Sequence, residues 1–212
     1  MWLLKLIPLK TLSSQLRKPS GFIGRFVMTK IFTVGNADLN NFAKDCLDLK
    51  QDDRVLEIGF GPGKLINQIA QIVTEGKVEG IDFSETMITQ AKKLNESYIA
   101  SNRVTLHKGD SEILPFSDNT FDKICSANTI YFWKDPASNL KEIYRATKPG
   151  GKVVVGFRDS QQMENFNLDE DIFTTYSKEE VVRLLLEAGF SNATTKEKES
   201  PTLTSYCAIA TK

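Results

Sequence analysis

Short apolar runs of strand character alternate with segments of helical periodicity from Asp53 to the end of the sequence, and this alternation limits the possible folds most strongly. Leu65, Ile66 and Ile69, for example, form a helical stripe after the first run. Strands that are joined through helices lie parallel, and the sheet then needs helices on both faces. The pattern therefore predicts an α/β fold with a mainly parallel sheet. The strand-like runs are residues 54–59, 77–82, 104–107, 121–126, 152–156, 192–198 and 204–211.

Polar residues mark the ends of the later predicted helices. Asp135 followed by Pro136 is a typical helix start, because an N-cap carboxylate is followed by a residue that needs no N–H partner. Ser177 and Glu180 have the spacing of a capping box, and Gly189 ends the helix that they begin. These signals separate the last helix from the two final strand-like runs.

Size and cysteine usage indicate one domain in a reducing compartment. A chain of 212 residues is long enough to bury a complete central sheet, and no repeat or linker divides it. Cys46, Cys125 and Cys207 are odd in number and widely spaced, which argues against a disulfide framework or a zinc knuckle. We expect no metal site and a cytoplasmic protein.

Charge is distributed unevenly along a sequence whose net charge is zero. Six of the 27 basic residues precede Ala37, whereas all 27 acidic residues follow it, so the body of the chain is acidic. An acidic body disfavours a nucleic-acid partner. No apolar run approaches the roughly 20 residues of a membrane-spanning helix. The basic segment itself, with its leucines beside lysines, is compatible with a lid, a contact with an anionic membrane surface or an organelle presequence.

A glycine-rich turn after the first strand carries the clearest functional signal. Gly59, Gly61 and Gly63 allow a tight turn and a close approach of a ligand at the carboxyl end of a parallel strand. A Walker loop needs Ser or Thr after Lys64, and a dinucleotide fingerprint needs glycine at position 64. Gly-x-Gly-x-Gly preceded by Glu57 suits a nucleoside ligand without a pyrophosphate, although a purely structural turn would use the same residues.

Acidic residues at the ends of the next two strands support the nucleoside interpretation. Asp82 ends the second strand, where its carboxylate can accept hydrogen bonds from both hydroxyl groups of a ribose. Asp110 and Ser111 follow the third strand, where they can meet a base. Taken singly, each aspartate is equally well explained as a solvated cap of its strand. Their occurrence at corresponding positions of neighbouring strands favours a binding site.

With these motifs in place, the sequence resembles the class I S-adenosylmethionine-dependent methyltransferases, and within them the type 11 group that includes ubiquinone and menaquinone biosynthesis enzymes. The resemblance covers roughly half of the chain, residues 53–157. It implies a Rossmann-like, seven-stranded sheet of order 3-2-1-4-5-7-6 with an antiparallel last strand. The motifs that carry it are residues 57–63, residues 80–84 with Met87, residues 109–110, residues 114–122 and residues 142–151.

The resemblance also implies the cofactor, S-adenosylmethionine, its product S-adenosylhomocysteine, and a set of binding residues. The glycines are expected at the methionine end, Asp82 at the ribose, and Phe83 and Met87 near the adenine. Asp110 and Ser111 are expected at the polar edge of the base. The full expected set is Glu57, Gly59, Gly61, Gly63, Asp82, Phe83, Met87, Asp110, Ser111 and Asn128.

The acceptor is less well indicated, because methyl transfer from a sulfonium requires positioning more than acid–base groups. The aromatic run Tyr131, Phe132 and Trp133 is a candidate apolar wall for a small acceptor or a stacking surface for a cation, or one or two of its rings cover the end of the sheet. Arg158 is a candidate for orienting a charged acceptor, or part of a solvated loop. His107 and Cys125 lie inside predicted strands, where a structural role is favoured. The acceptor atom and the oligomeric state are left open.

Family resemblance further implies that residues 1–50 form a helical lid over residues 51–212, the S-adenosylmethionine-binding domain. Phe22, Gly24 and Met28 are the candidates for contacts within that lid. Besides an active methyltransferase, two other functions remain open at this point. One is a cofactor-binding regulatory subunit without turnover, and the other is a Rossmann-type oxidoreductase that uses NAD(P).

Overall fold

The computed structural model describes residues 13–15, 17–18, 36–164, 169–200 and 203–212. The helices within these ranges are α1 (Ala37–Leu47), α2 (Lys64–Ile72), α3 (Glu85–Leu94), α4 (Glu96–Ala100), α5 (Pro136–Ala146), α6 (Ser160–Met163) and α7 (Lys178–Glu187). The strands are β1 (Arg54–Ile58), β2 (Lys77–Asp82), β3 (Val104–Lys108), β4 (Phe121–Ala127), β5 (Thr147–Phe157), β6 (Ser191–Lys198) and β7 (Ser205–Thr211). A 3-10 turn, Ile130–Phe132, follows β4. Phe22, Gly24 and Met28, and most of the predicted lid, lie outside the described residues.

The strands form a seven-stranded sheet of order β3-β2-β1-β4-β5-β7-β6, which confirms the predicted topology. The first five strands of this order run parallel to one another, whereas β7 runs antiparallel to both β5 and β6. The carboxyl ends of the parallel strands therefore meet at one edge of the sheet, where open α/β sheets bind their ligands. None of the helices in the described ranges combines the length and hydrophobicity that a bilayer crossing requires.

The sheet is covered on both faces because β-strand side chains alternate. Leu56 and Ile58 of β1 join the cluster that includes the apolar face of α5 and α7, whereas Val55 joins the cluster under α1, α2 and α3. Helix α1 belongs to this second cluster through a fully buried stripe at i, i+4 and i+8, namely Leu39, Ala43 and Leu47. The part of the predicted lid segment that forms α1 thus packs on the sheet.

Strand β5 begins earlier than the sequence pattern predicts. The prediction placed its start at residue 152, after a Pro-Gly-Gly stop, but Thr147 already pairs with Phe121 of β4. The register between the two strands then shifts, and the intervening glycines bond to the chain's last residue instead. Gly150 donates its N–H to the carbonyl of Lys212, and the carbonyl of Gly151 accepts the Lys212 N–H. The strand therefore does not begin after these glycines. It runs through them as a bulge, and they pair with Lys212 instead of β4.

The predicted helix caps are present. The Asp135 carboxylate accepts the N–H of Ser138 at the start of α5. Ser177 and Glu180 form a complete capping box at the start of α7, and Gly189 follows that helix with a φ of 106°. Each cap fixes the residue at which its helix begins. Helix α5 is also connected with the site, because its Asn139 bonds to Ser111.

Two glycines with nearly equal backbone angles allow crowding to be separated from backbone strain. Gly63 has φ +78° and its absent Cβ would lie 2.7 Å from the Cβ of Ala91, whereas Gly150 has φ +76° and open space around it. Gly150→Ala is expected to cost about 1–2 kcal/mol of unfolding free energy through strain alone. Gly63→Ala is expected to cost about 1–3 kcal/mol more because of overpacking. Urea unfolding measures both, and equal losses would contradict this account.

Candidate active site

A cleft opens at the carboxyl ends of β1, β2, β3 and the turn after β4, the edge at which the sequence predicts a ligand site. Residues from six short segments surround it, so the site depends on the topology rather than on one motif. Its lining consists of Arg17, Ile58, Gly59, Ile81, Asp82, Phe83, Gly109, Asp110, Ser111, Glu112, Thr129, Phe132 and Trp133. Gly59, Asp82, Phe83, Asp110, Ser111 and Trp133 of the predicted residues are in this lining.

The glycine turn forms the floor of the cleft beside β1. Gly59 has φ +69°, and a Cβ there would lie 2.6 Å from side-chain atoms of Thr129. Gly61, with φ +52°, has open space where its Cβ would be, and its N–H points to Asp82. Gly63 is instead packed against Ala91 of α3 and is not part of the lining. The three glycines are therefore needed for different reasons: Gly59 avoids a clash with Thr129, Gly61 donates to Asp82, and Gly63 packs against Ala91.

Asp82 joins the first two strand ends. One carboxylate oxygen accepts the Gly61 N–H at 2.9 Å, and the other accepts the Ser84 N–H at 2.8 Å. Burial raises the pKa of Asp82 above its usual value, although these backbone hydrogen bonds act in the opposite direction. The Phe83 N–H also bonds to this carboxylate, which has about four acceptor sites and lines the cleft. The carboxylate can therefore accept a further donor, such as a ribose hydroxyl.

Glu57 lies beneath the glycine turn rather than in the cleft lining. Its side chain is on the face of β1 that packs under α2, and the N–H of Ile66 in the first turn of that helix donates to it. The carboxylate thus supplies the cap that Gly63, the N-cap residue, lacks. Burial, and then the negative charge of Asp82, raise the pKa of Glu57 well above its usual value. Its Oε2 atom is buried and has no hydrogen-bond partner among the described residues.

The segment after β3 supplies the opposite polar wall. Asp110 is exposed, while Ser111 is buried and its hydroxyl accepts a hydrogen bond of 2.7 Å from the side-chain amide of Asn139. Glu112 also lines the cleft, a residue that the sequence did not single out. His107, three residues before Asp110, bonds to Glu79 at 2.8 Å within the sheet and is not in the lining.

The aromatic run after β4 divides between the cleft and the core. Trp133 lines the cleft although only 6% of it is exposed, and its indole N–H has no acceptor among the described residues. Tyr131 lies in the packed core, where its hydroxyl bonds to the backbone of Arg158 and burial raises its pKa. Phe132, not Tyr131, completes the apolar wall, and its ring packs 4.6 Å from that of Phe173. Because these residues form a 3-10 turn, the ring of Phe132 reaches the cleft while that of Tyr131 points into the core.

Arg158 is placed away from the cleft lining and is fully engaged. It is 6% exposed, and one guanidinium nitrogen donates to the carbonyl of Leu203 and to the hydroxyl of Ser205. These bonds join the end of β5 to the start of β7. Neither of the two predicted environments, an acceptor contact or a solvated loop, describes it.

Two predicted cofactor residues, Met87 and Asn128, lie close to the cleft without lining it. Met87 is 1% exposed within α3. Asn128 has φ +56° and donates its N–H to the carbonyl of Gly156, so that Thr129 is the next side chain to face Gly59. Thr129 could have been inferred only from the turn geometry. Arg17, which comes from the N-terminal segment, carried no local signal either.

Taken together, the lining fits S-adenosylmethionine. The glycine turn at Gly59, the carboxylate of Asp82 and the polar residues at Ser111 match a nucleoside with an amino-acid tail, although Gly61, like Gly63, is not in the lining. Among the described residues, no three His, Cys, Asp or Glu side chains converge as a metal site would need. The polar and apolar walls face each other across one cleft.

Comparisons with known proteins agree with this geometry. A family model described as "Methyltransferase domain" matches residues 56–155. The chain is 34% identical to the uncharacterized methyltransferase YdaC of Bacillus subtilis, over 59% of this chain and 67% of that protein. It is 37% identical to a demethylmenaquinone methyltransferase of Bacillus cereus, over 51% of this chain and 46% of that one. The first four curated relatives are matched over 40% to 67% of their own lengths.

A solved structure extends the similarity over most of the chain. It is that of a methyltransferase from Thermotoga maritima described as SAM-dependent and as a possible histamine N-methyltransferase. The identity is 27% and the TM-score 0.69, over 89% of this chain and 96% of that one.

The buried carboxylate of Glu57 predicts a specific pH dependence. Its pKa is raised in the folded state, so its contribution to stability is complete below the unfolded value near 4.3 and is lost as the pH rises through the folded pKa. Glu57→Gln keeps an acceptor for Ile66 and removes the titration. We expect the unfolding free energy of this variant, relative to the unmodified protein, to increase as the pH rises above about 4.3.

Urea unfolding at several pH values between 5 and 8 measures this difference. The matched control is Glu85→Gln, which removes an exposed carboxylate whose pKa is lowered by its hydrogen bond to Lys108. That control is not expected to gain stability with rising pH. Parallel curves for the unmodified protein and Glu57→Gln would refute the assignment.

Proposed function

Because this chain belongs to the class I S-adenosylmethionine-dependent methyltransferases, we propose that it methylates a small, partly apolar acceptor that binds beside Phe132 and Trp133. The observation that carries the proposal is the composition of the cleft. Nucleoside-binding groups at Asp82 and Ser111 stand on one side, and the aromatic wall of Phe132 and Trp133 stands on the other. A site built in this way can hold a polar donor and an apolar acceptor against each other.

Each cofactor contact follows from the position of a side chain in the lining. Asp82 accepts the ribose hydroxyls, and Phe83 packs on the base. Asp110 and Ser111 meet the polar edge of the base, while Gly59 lines the cleft at the methionine end. These roles combine the family resemblance with the observed lining.

Bound S-adenosylmethionine supplies a methyl group on a positively charged sulfonium. The protein then has to align the acceptor with that group and exclude water, and both tasks suit a wall of aromatic rings. Phe132 is backed by Phe173, so the wall is held from behind. The ionisable side chains in the described lining are Arg17, Asp82, Asp110 and Glu112, and we assign none of them as a general base.

Other functions have less support. A dinucleotide-dependent oxidoreductase would need a glycine where Lys64 begins α2. The lack of an assigned general base would also suit a regulatory subunit without turnover, but such a subunit would not need the apolar wall that we propose for an acceptor. We therefore retain the transferase as the single proposal.

The N-terminal segment is proposed to close the cleft. Arg17 is part of the lining, and the Lys18 ammonium stands 5.8 Å from the centre of the Phe83 ring. The hydroxyl of Ser13 accepts a 3.4 Å hydrogen bond from the N–H of Asp169. The contacts of Arg17 and Lys18 with the cleft support the lid over a free-standing anchor. Contact of the remaining basic residues with a membrane surface stays a prediction.

The cofactor proposal makes Asp82 the most informative position. Asp82→Asn is nearly isosteric but loses the charge that strengthens the ribose hydrogen bonds, worth about 1.5–3 kcal/mol. Calorimetry with S-adenosylhomocysteine is expected to show at least about tenfold weaker binding. Glu85→Gln, a neighbouring exposed carboxylate, serves as the control and should bind normally. Unaltered binding by Asp82→Asn, or binding of NAD in place of S-adenosylhomocysteine, would reject the proposal.

The acceptor proposal makes a separate prediction at Phe132. A panel of small aromatic and lipid-like acceptors, followed by release of S-adenosylhomocysteine, first identifies a substrate. Phe132→Ala should then raise the KM for that substrate roughly tenfold, since loss of a half-buried ring costs on the order of 1–2 kcal/mol. Affinity for S-adenosylhomocysteine should change little. A preference for strongly polar acceptors that Phe132→Ala leaves intact would contradict an apolar wall.

A further inference from the structure

The loop that joins β3 to β4, residues 109–120, has no regular secondary structure. It nevertheless carries four consecutive residues of the cleft lining, Gly109, Asp110, Ser111 and Glu112. Irregular loops of this length are uncommon in compact domains unless they have a function. A loop that must present side chains to a ligand also needs something to hold it in place.

Helix α5 holds this loop through a row of three polar side chains spaced three residues apart. Asn139 donates its amide to the Ser111 hydroxyl at 2.7 Å, and both residues are buried. One turn later, the Glu142 carboxylate accepts the backbone N–H of Leu114 at 3.0 Å. The third side chain of the row is Arg145.

Arg145 makes the largest number of these contacts. Its guanidinium donates to the carbonyls of Leu114 at 3.2 Å and Phe116 at 2.8 Å, and to the carboxylate of Asp118 at 2.8 Å. Two further bonds, of 2.8 and 2.9 Å, reach both oxygens of Glu142. Only a planar fork of several donors can serve so many acceptors at once, which a lysine cannot do.

The charges of this row reinforce one another. The hydrogen bonds to Glu142 and Asp118 raise the pKa of Arg145, and the hydrogen bond from Arg145 lowers the pKa of Glu142. Both side chains are therefore ionised throughout the neutral range. Their solvent exposure is moderate, 30% for Arg145 and 23% for Glu142, so the bonds are screened less than those of a fully exposed pair.

Apolar contacts secure the same loop but do not determine where its tip lies. Leu114 is 4% exposed in the core, and the Phe116 ring packs edge-on against Phe121 and His107. These anchors begin three residues after Ser111. Within residues 111–113, the Asn139 bond is the only side-chain hydrogen bond from another element that the described residues make. The polar row therefore holds a part of the loop in which Glu112 and Ile113 are exposed and have no core contacts to fix them.

We infer that Asn139, Glu142 and Arg145 are positioning residues that set the affinity for the adenosine half of the cofactor through the loop that carries Asp110 and Ser111. The inference rests on the proposed function, in which this loop meets the base. None of the three residues lines the cleft, so their action is indirect. Without them, the loop would have to be ordered at the moment of binding, and the lost conformational freedom would reduce the affinity.

The test compares two probes, S-adenosylhomocysteine and 5′-methylthioadenosine, which share the adenosine half and differ in the amino-acid tail. Calorimetry on Arg145→Lys is expected to show both affinities reduced by the same factor, about tenfold, or about 1.4 kcal/mol. Hydrogen exchange should accelerate in residues 109–118 without a similar change in β1 or β4. Arg183→Lys, an exposed helical arginine of α7 paired with Glu187, is the matched control and should change neither readout.

A second variant guards against a loss of folding. Asn139→Ala removes the contact nearest the cleft and leaves the Arg145 fork intact, so it should weaken both probes in the same ratio. A purely structural row would lower the urea midpoint of both variants and leave the affinities of the folded protein unchanged, and this result would overturn the inference. If the unmodified protein binds neither probe, the proposed function fails first, and the positioning role falls with it.

Discussion

The bond between the Asp82 carboxylate and the Gly61 N–H is the contact on which the site depends. It joins the turn after β1 to the end of β2, and the other oxygen of the same carboxylate fixes the start of α3 through Ser84. Burial alone would drive this group toward its neutral form, so the amides that surround it are what maintain an acceptor in the cleft. Glu57, which lies deeper, adds a second acidic group beneath the same turn. The adjacent carboxylates make the cleft floor costly in the empty protein and suited to a ligand that carries hydroxyl donors and positive charge.

The fold could be predicted because its determinants are local and repeated. Alternating periodicity, helix caps and the glycine turn each act within a few residues, and they agree with one another. The antiparallel ending and the strand order needed the family resemblance, since no pattern within a strand specifies its neighbours. Where the prediction departed from the structure, as at the start of β5, a distant partner was responsible. Lys212 pairs with the glycines that the sequence suggested would end the preceding helix.

The site could be predicted only in part, for reasons of geometry. Asp82 ends β2, and Gly59 and Ser111 follow the ends of β1 and β3, so the parallel strands bring them to one edge of the sheet. After β4 this placement does not indicate which side chains face the cleft, because Asn128 takes a left-handed conformation and a 3-10 turn follows. The side chains that face the cleft are consequently Thr129 and Phe132 rather than Asn128 and Tyr131. Arg145 lies within the motif of residues 142–151, but its contacts with the loop had no local signal, since those partners are 27 to 31 positions away along the chain.

The separation of the two walls in sequence has a consequence for how such a protein diversifies. The groups proposed for the donor lie between Gly59 and Ser111, whereas Thr129, Phe132 and Trp133 occupy a single turn of five residues. On the proposed assignment, replacements at Phe132 and Trp133 alter the acceptor side, whereas Thr129 also faces Gly59 on the donor side. The turn is bounded by a buried strand and by a capped helix, and within it Ile130 and Tyr131 are held in the core. One scaffold can thereby acquire new substrates by a small number of independent steps, without first losing the reaction that it already performs.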